Sequence, residues 1–221
     1  MTGGSSGIGA AIADLLHREG AEVQSLDLTD GFDVSDAHAW DAVGAVELAC
    51  LNAGVVTGQR DIRGLSDDAY RRILGANLDG VVFGVRRLAR VMQPGSAIVV
   101  TASLAGLVAA SEDPIYTLTK HAVIGFVRSV APQLEEWGIR INAVAPGFVE
   151  TPLIDTARFA DAGFPLLQPE AVAEAVLLAA RHTETGQVWV VQPGREPLRF
   201  RFPNVPGPRD ASGAAVGAPP R

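Results

Sequence analysis

Tyr116 and Lys120 stand four residues apart in Tyr-Thr-Leu-Thr-Lys, and Ser103 lies thirteen residues upstream of the tyrosine. Asp113-Pro114 precedes them in the pattern of a helix start, aspartate as N-cap and proline at the first helical position. One helical turn then puts phenol and ammonium on the same face. An ammonium beside a phenol favours phenolate and brings its pKa down from about 10 towards neutrality. That makes a general acid/base of a group otherwise inert at neutral pH. The same spacing is common in ordinary helices, where the aromatic anchors and the lysine is solvated. The weight therefore rests on the residues that accompany the pair.

The chain opens with Thr2-Gly-Gly-Ser-Ser-Gly-Ile-Gly9, followed by an alanine-rich stretch, residues 10–19, that reads as a helix ended by Gly20. Glycines at such a place let the backbone turn tightly and approach a pyrophosphate, and the helix N-terminus supplies free N–H groups. Residues 21–26 then read as a strand ending at Asp27, eighteen residues after Gly9. That is near the distance at which an acid meets the ribose hydroxyls of a bound dinucleotide. Taken singly, a turning loop and a surface aspartate would explain both features.

Together these residues resemble the short-chain dehydrogenase/reductase family. The resemblance runs from Thr2 to about Gln192 and rests on several motifs in the family's order. They are the glycine loop, Asp33-Val34, Leu51-Asn-Ala-Gly54, Asn77 in Asn-Leu-Asp-Gly80, Ser103, the Tyr116/Lys120 pair and Pro146-Gly147. It implies an α/β fold: a Rossmann-type, doubly wound parallel sheet in three layers, with helices on both faces. The alternation of strand and helix patterns along the chain agrees with that.

At 221 residues the chain is the size of one domain, with 48% hydrophobic residues and a net charge of −7. That charge argues against a nucleic-acid partner, because phosphate backbones need basic surfaces. The single cysteine, Cys50, falls in an apolar run and reads as a core residue of a soluble protein in a reducing compartment, the cytoplasm. No signal segment precedes the glycine loop. Residues 91–111 carry no charge, but Pro94-Gly95 interrupts them, so a buried strand and an apolar wall are expected rather than a membrane span. No His/Cys/Asp cluster has metal-ligand spacing, and no metal is expected.

The elements that must position the site follow from the pattern. Strands are expected at residues 22–26, 46–51, 97–101, 140–144 and 187–191. Helices are expected at 66–92, with Ser66 as N-cap, at 114–137 with Pro132 inside, and at 169–181. A short lid, residues 151–168, completes a single domain over residues 1–205. Residues 206–221, rich in Pro, Gly and Ala, read as a disordered tail. Residues 195–202 alternate basic and aromatic side chains. An extended segment lying on the protein's own or a neighbouring subunit's surface is favoured there over a basic flap for an anionic substrate.

Two departures from the family pattern stand out. No helix fits between Asp27 and Asp33, so this edge of the sheet must be compact. Only Met1 precedes Thr2, so the first strand is missing from the N-terminus. Losing about five buried apolar residues forfeits roughly 1.5–3 kcal/mol each, a sum that rivals the ~5–15 kcal/mol stability of a whole domain. The family commonly reads Val-Thr-Gly here and a valine codon can start a bacterial chain, so the native start is expected several residues upstream.

By position, the resemblance implies that Tyr116 is the acid/base and that Lys120 lowers its pKa and binds the nicotinamide ribose. Ser103 would polarise the substrate oxygen, and Asn77 would hold a water linking Lys120 to solvent. Gly3, Ser6, Gly7, Ile8 and Gly9 would cradle the pyrophosphate, Asp27 the adenosine ribose, and Asp33 and Val34 the adenine. Asn52, Ala53 and Gly54 would line the adenosine side, and Pro146, Gly147, Val149 and Thr151 the nicotinamide end. Asp27 repels a 2′-phosphate and Ser5, Ser6 and Leu28 offer it no cation, which favours NAD over NADP.

The implied reaction is hydride transfer between nicotinamide and a secondary alcohol or ketone. The apolar wall at residues 104–110 and lid residues Leu153, Ile154, Phe159, Phe164, Leu166 and Leu167 favour a hydrophobic small molecule. The family also implies a homodimer or homotetramer built on the helices at 66–92 and 114–137. Two rivals share the fold. A sugar-nucleotide epimerase or dehydratase would need a larger C-terminal domain. A catalytically silent nucleotide-binding redox sensor or scaffold would lack one of the catalytic groups, and all four are present here.

Overall fold

Short apolar runs rich in valine and isoleucine become the buried strands of one sheet. In the computed structural model, which describes residues 1–217, these are β1 (Leu48–Leu51), β2 (Ala97–Thr101), β3 (Arg140–Pro146) and β4 (Val188–Val191). They lie side by side in that order and all run parallel. All of β2, and all of β3 except Arg140, are buried, as a parallel sheet covered on both faces requires.

The covering helices define the layers. On one face α1 (Gly7–Arg18) and α6 (Pro169–Arg181) bury Ala11, Ile12, Val172, Val176 and Ala179 against Cys50, Val99, Val144 and Trp189. On the other, α3 (Gly80–Val91) and α4 (Pro114–Glu136) bury Val81, Val85, Leu88, Val123, Val127 and Leu134 against Leu51, Ile98, Val100, Ile141 and Ala143. The expected three-layer α/β fold is present.

Several boundaries differ for physical reasons. Residues 22–26 are not a strand. Leu26 alone bridges Thr2, which bridges Leu51 on its other side, so Met1–Thr2 is all that lies between them and one residue cannot carry a ladder. The segment expected as one helix over 66–92 runs as α2 (Asp67–Leu74), a π turn (Gly75–Asp79) and α3. Ser66 does cap it, accepting from Ala69 N at 3.2 Å. The first strand of the sheet begins two residues later than expected, at Leu48. The lid contains a short helix, α5 (Thr156–Asp161).

A fifth strand, β5 (Leu198–Arg199), pairs antiparallel with β4 and closes that edge. The basic–aromatic segment thus lies on its own sheet. Phe200 and Phe202 turn inward onto the core, and the Arg128 guanidinium stacks 3.6 Å from the Phe202 ring centre. Residues 206–217 follow as exposed chain with one bridge, Arg209 to Ala215, and residues 218–221 of the expected tail lie outside the described residues.

Candidate functional site

The glycine loop is shaped by contacts that leave no room for side chains. Gly3 and Gly7 have positive φ, 66° and 51°, which favours glycine. A Cβ at Gly9 would lie 1.8 Å from Gly3 O, and one at Gly3 would lie 2.9 Å from Ala53 Cα. Ser6 is the extended N-cap of α1, yet its side chain bonds none of the helix's first N–H groups, and no acidic residue sits in the first turn. Those donors remain available to an anion. Ile8 packs into the core beneath them. A tight loop with free donors fits a dinucleotide pyrophosphate.

From this loop a line of hydrogen bonds runs to the lysine. Thr2 Oγ1 accepts from Asn52 N and Ala53 N at 3.0 and 3.1 Å, and Asn52 Nδ2 donates to Gly3 O at 3.2 Å. Asn52 Oδ1 accepts from Thr101 Oγ1 at 3.0 Å, and Thr101 O accepts from Lys120 Nζ at 2.8 Å. A Cβ at Gly54 would lie 3.6 Å from Lys120 Nζ and 3.3 Å from Asn77 Oδ1. Asn52, Ala53, Gly54, Asn77 and Lys120 are therefore brought together at the C-terminal ends of β1 and β2.

Asn77, fully buried in the π turn, uses its whole amide to hold the chain after Gly54. Its Oδ1 accepts from Val55 N at 2.7 Å. Its Nδ2 donates to Val55 O at 2.9 Å and to Thr119 Oγ1 at 3.2 Å. A π turn displaces one residue from the helical register, which lets an interior asparagine point at a neighbouring loop. Both amide atoms of Asn77 are thus engaged with neighbouring protein groups.

Asp113 caps α4 by accepting from Tyr116 N at 2.9 Å. Ser103 caps the 3₁₀ turn Leu104–Gly106. A Cβ at Gly106 would lie 2.5 Å from Lys120 O, so this wall packs directly on the turn of α4 that carries the lysine. That contact sets Ser103 beside Tyr116, whose ring centre is 5.5 Å from Lys120 Nζ. Burial pushes the Tyr116 phenol above its ordinary value and Lys120 down to about 8. Ser103 opposes the shift of the phenol, while the Asp113 carboxylate reinforces it. Desolvation is the largest of these influences on the phenol.

Asp27 lies beside the loop. Its Oδ1 accepts from Thr29 N and Thr29 Oγ1 and its Oδ2 from Ser5 N, each at 3.1 Å. The Thr29 backbone bond, chiefly, holds its pKa below the usual carboxylate value. Asp33 instead binds Ser35 N and Oγ at 2.8 and 2.7 Å. Val34 is buried, its carbonyl accepting from Trp40 Nε1, so its side chain belongs to the core.

Pro146 ends β3, and Gly147 N donates to Val191 O. Val149 bridges Leu167, and Thr151 reaches back to the glycine loop, its Cγ2 3.0 Å from where a Gly7 Cβ would stand. Phe148, Phe159 and Phe164 form a ring cluster with centres 4.5–5.9 Å apart. A cleft of about 400 Å3 opens elsewhere, between α6 and the β4–β5 connection, and none of Ser103, Tyr116 and Lys120 lines it. Thr2, Thr101, Thr119 and Arg72, whose guanidinium donates to Val56 O, join the site without any signal in the sequence beyond their motif neighbours.

The family model described as enoyl-(acyl carrier protein) reductase matches residues 33–194. Cyclohexanol dehydrogenase of Acinetobacter sp. (strain SE19) is 31% identical over 213 residues, covering 80% of this chain and 84% of its own. The mitochondrial borneol dehydrogenase of Lavandula x intermedia is 32% identical over 211 residues, covering 81% and 82%. Among solved structures, a short-chain dehydrogenase/reductase (glucose/ribitol dehydrogenase) from Brucella melitensis superposes with a TM-score of 0.76 at 26% identity. It covers 88% of this chain and 94% of that one.

Proposed function

Since this chain belongs to the short-chain dehydrogenase/reductase family of oxidoreductases, we propose that it moves a hydride between NAD and a hydrophobic, alicyclic secondary alcohol or ketone. The observation that carries the reading is the meeting of Ser103, Tyr116, Lys120 and the Asn77-held loop at the strand ends, beside a glycine loop suited to a pyrophosphate. The names of the cyclohexanol and borneol relatives support an alicyclic substrate, as does the apolar cluster of Phe148, Phe159 and Phe164, Phe148 standing between Gly147 and Val149.

In this reading Gly3, Ser6, Gly7, Ile8 and Gly9 bind the pyrophosphate and Asp27 the adenosine ribose. Asn52, Ala53 and Gly54 form the adenosine side, Asp33 and the Val34 main chain the adenine rim. Pro146, Gly147, Val149 and Thr151 form the nicotinamide end. When bound, the nicotinamide gives or takes the hydride, and that chemistry is the cofactor's own. Ser103 Oγ orients the substrate oxygen. Tyr116 Oη takes the hydroxyl proton in oxidation and returns it in reduction. Lys120 Nζ fixes the ribose and, once protonated, favours the phenolate. The carboxylate of Asp27 disfavours a second phosphate, which makes NAD the cofactor rather than NADP. We read residues 1–205 as one cytoplasmic domain that self-associates through α2–α3 and α4, whose outer face carries exposed Leu118 and open space at Gly125.

Tyr116→Phe tests the core of this. Turnover of cyclohexanol with NAD should fall by roughly a hundredfold to ten-thousandfold, the usual worth of a general acid/base, while NADH still binds. Retained turnover would remove Tyr116 from the chemistry.

A further inference from the structure

The Asp113 carboxylate does more than cap a helix. Its Oδ1 accepts from Tyr116 N at 2.9 Å, whereas its Oδ2 accepts from Thr57 N at 2.7 Å and Gly58 N at 3.0 Å. One side chain thus joins the first turn of α4 to the loop that follows β1. That loop is the continuation of Gly54, whose backbone abuts Lys120 and Asn77. An N-cap needs only one acceptor, and serine, asparagine or threonine would serve as well. The second oxygen, on two consecutive backbone donors more than fifty residues away in sequence, has no part in capping.

We propose that Asp113 is a positioning residue for the reaction: it locks the helix bearing Tyr116 and Lys120 to the loop that walls the cofactor side. The inference rests on the reading of Tyr116 as the acid/base. The loop is clamped from two further elements, by Asn77 on both polar atoms of Val55 and by Arg72 on Val56 O. Asp113 supplies the clamp that belongs to the helix bearing Tyr116 and Lys120. The ionisable and polar groups about Tyr116 are Lys120 on its own helix, Asp113 at the cap and Ser103 on the facing wall. The neighbouring Glu112 is engaged outward with Arg60 and Arg158. Like charge nearby disfavours phenolate, so the Asp113 carboxylate adds to the burial that holds the phenol's pKa above its ordinary value.

Two substitutions separate the roles. Asp113→Ser keeps a cap acceptor but cannot also span to Thr57 and Gly58. Asp113→Asn keeps size and cap but presents one acceptor fewer and no charge. Both chains should melt cooperatively, with amide exchange at Thr57 and Gly58 accelerated at least tenfold over the parent. With Tyr70→Phe as background, Tyr116 is the remaining tyrosine. Its ultraviolet titration should move to lower pH in Asp113→Asn, a readout that a purely structural cap would leave unmoved. In turnover of cyclohexanol, kcat should fall about tenfold to a hundredfold in both variants, and the alkaline-rising limb of the Asn variant should start at lower pH. Unchanged exchange, or an unmoved tyrosine titration in a folded Asn variant, would reduce Asp113 to a cap. Exchange and titration need no substrate, so an inactive parent would count against the proposed reaction while leaving this inference to be decided on its own.

Discussion

Lys120 is the residue on which stability and chemistry pull in opposite directions. It is 4% exposed, and among the described residues Thr101 O is the one acceptor bonded by its ammonium. Burial lowers its pKa from 10.5 to about 8. A lysine depressed in the folded state binds fewer protons there than in the unfolded chain. Stability therefore rises with pH between about 8 and the unfolded value, and the penalty is fully present below 8. A shift of this size corresponds to roughly 3 kcal/mol. Lys120→Met should accordingly be more stable than the parent at pH 7, with the gap narrowing towards pH 10, as read by urea unfolding at the two pH values. A constant gap would mean that packing, not charge, governs the site. The Tyr116/Lys120 pair could be singled out from residue types and spacing, and Ser103 and Asn77 as members of the family motifs. What Asn77 and Asp113 hold could not, because their partners at Val55, Thr57 and Gly58 are backbone atoms, which leave no mark in a sequence.

Among the elements, the regular ones were legible and the marginal ones were not. The strand at Ala97–Thr101 and the helix at Pro169–Arg181 begin and end where the sequence pattern puts them. Residues 22–26 have strand-forming side chains but lack a neighbour long enough to pair with, and propensity says nothing of that. The strand β5 is two residues long, too short for any pattern, yet it covers the edge of β4. Its anchors are Phe200 and Phe202 with the Arg128 stack, and Arg199 pairs with Glu184 beside His182. Replacing both phenylalanines with serine should free this strand. The melting temperature would then drop and the bare edge of β4 would promote concentration-dependent association, visible by light scattering. If both properties stay as in the parent, β5 is ornamental.

At the scale of the whole molecule, cofactor binding should report on the fold as well as on the site. Saturating NAD at about a hundred times its dissociation constant contributes roughly 2.7 kcal/mol, or some 5–10 °C in a chain this size. NADP should do much less, given Asp27. Equal shifts would remove the discriminating role from that carboxylate. The lid adds a consequence of another kind. Glu150 N donates to Leu167 O and Leu167 N to Phe148 O, so the segment is cinched at its base and leaves and re-enters the body at one place. Beyond that base it meets the body through Thr151 at Gly7 and through the Arg158–Glu112 ion pair. Lengthening such a cinched segment costs only the slow logarithm of loop closure. If the proposed function holds, insertions between Thr151 and Arg158 or after Arg158 are the changes to this segment that should disturb the fold least.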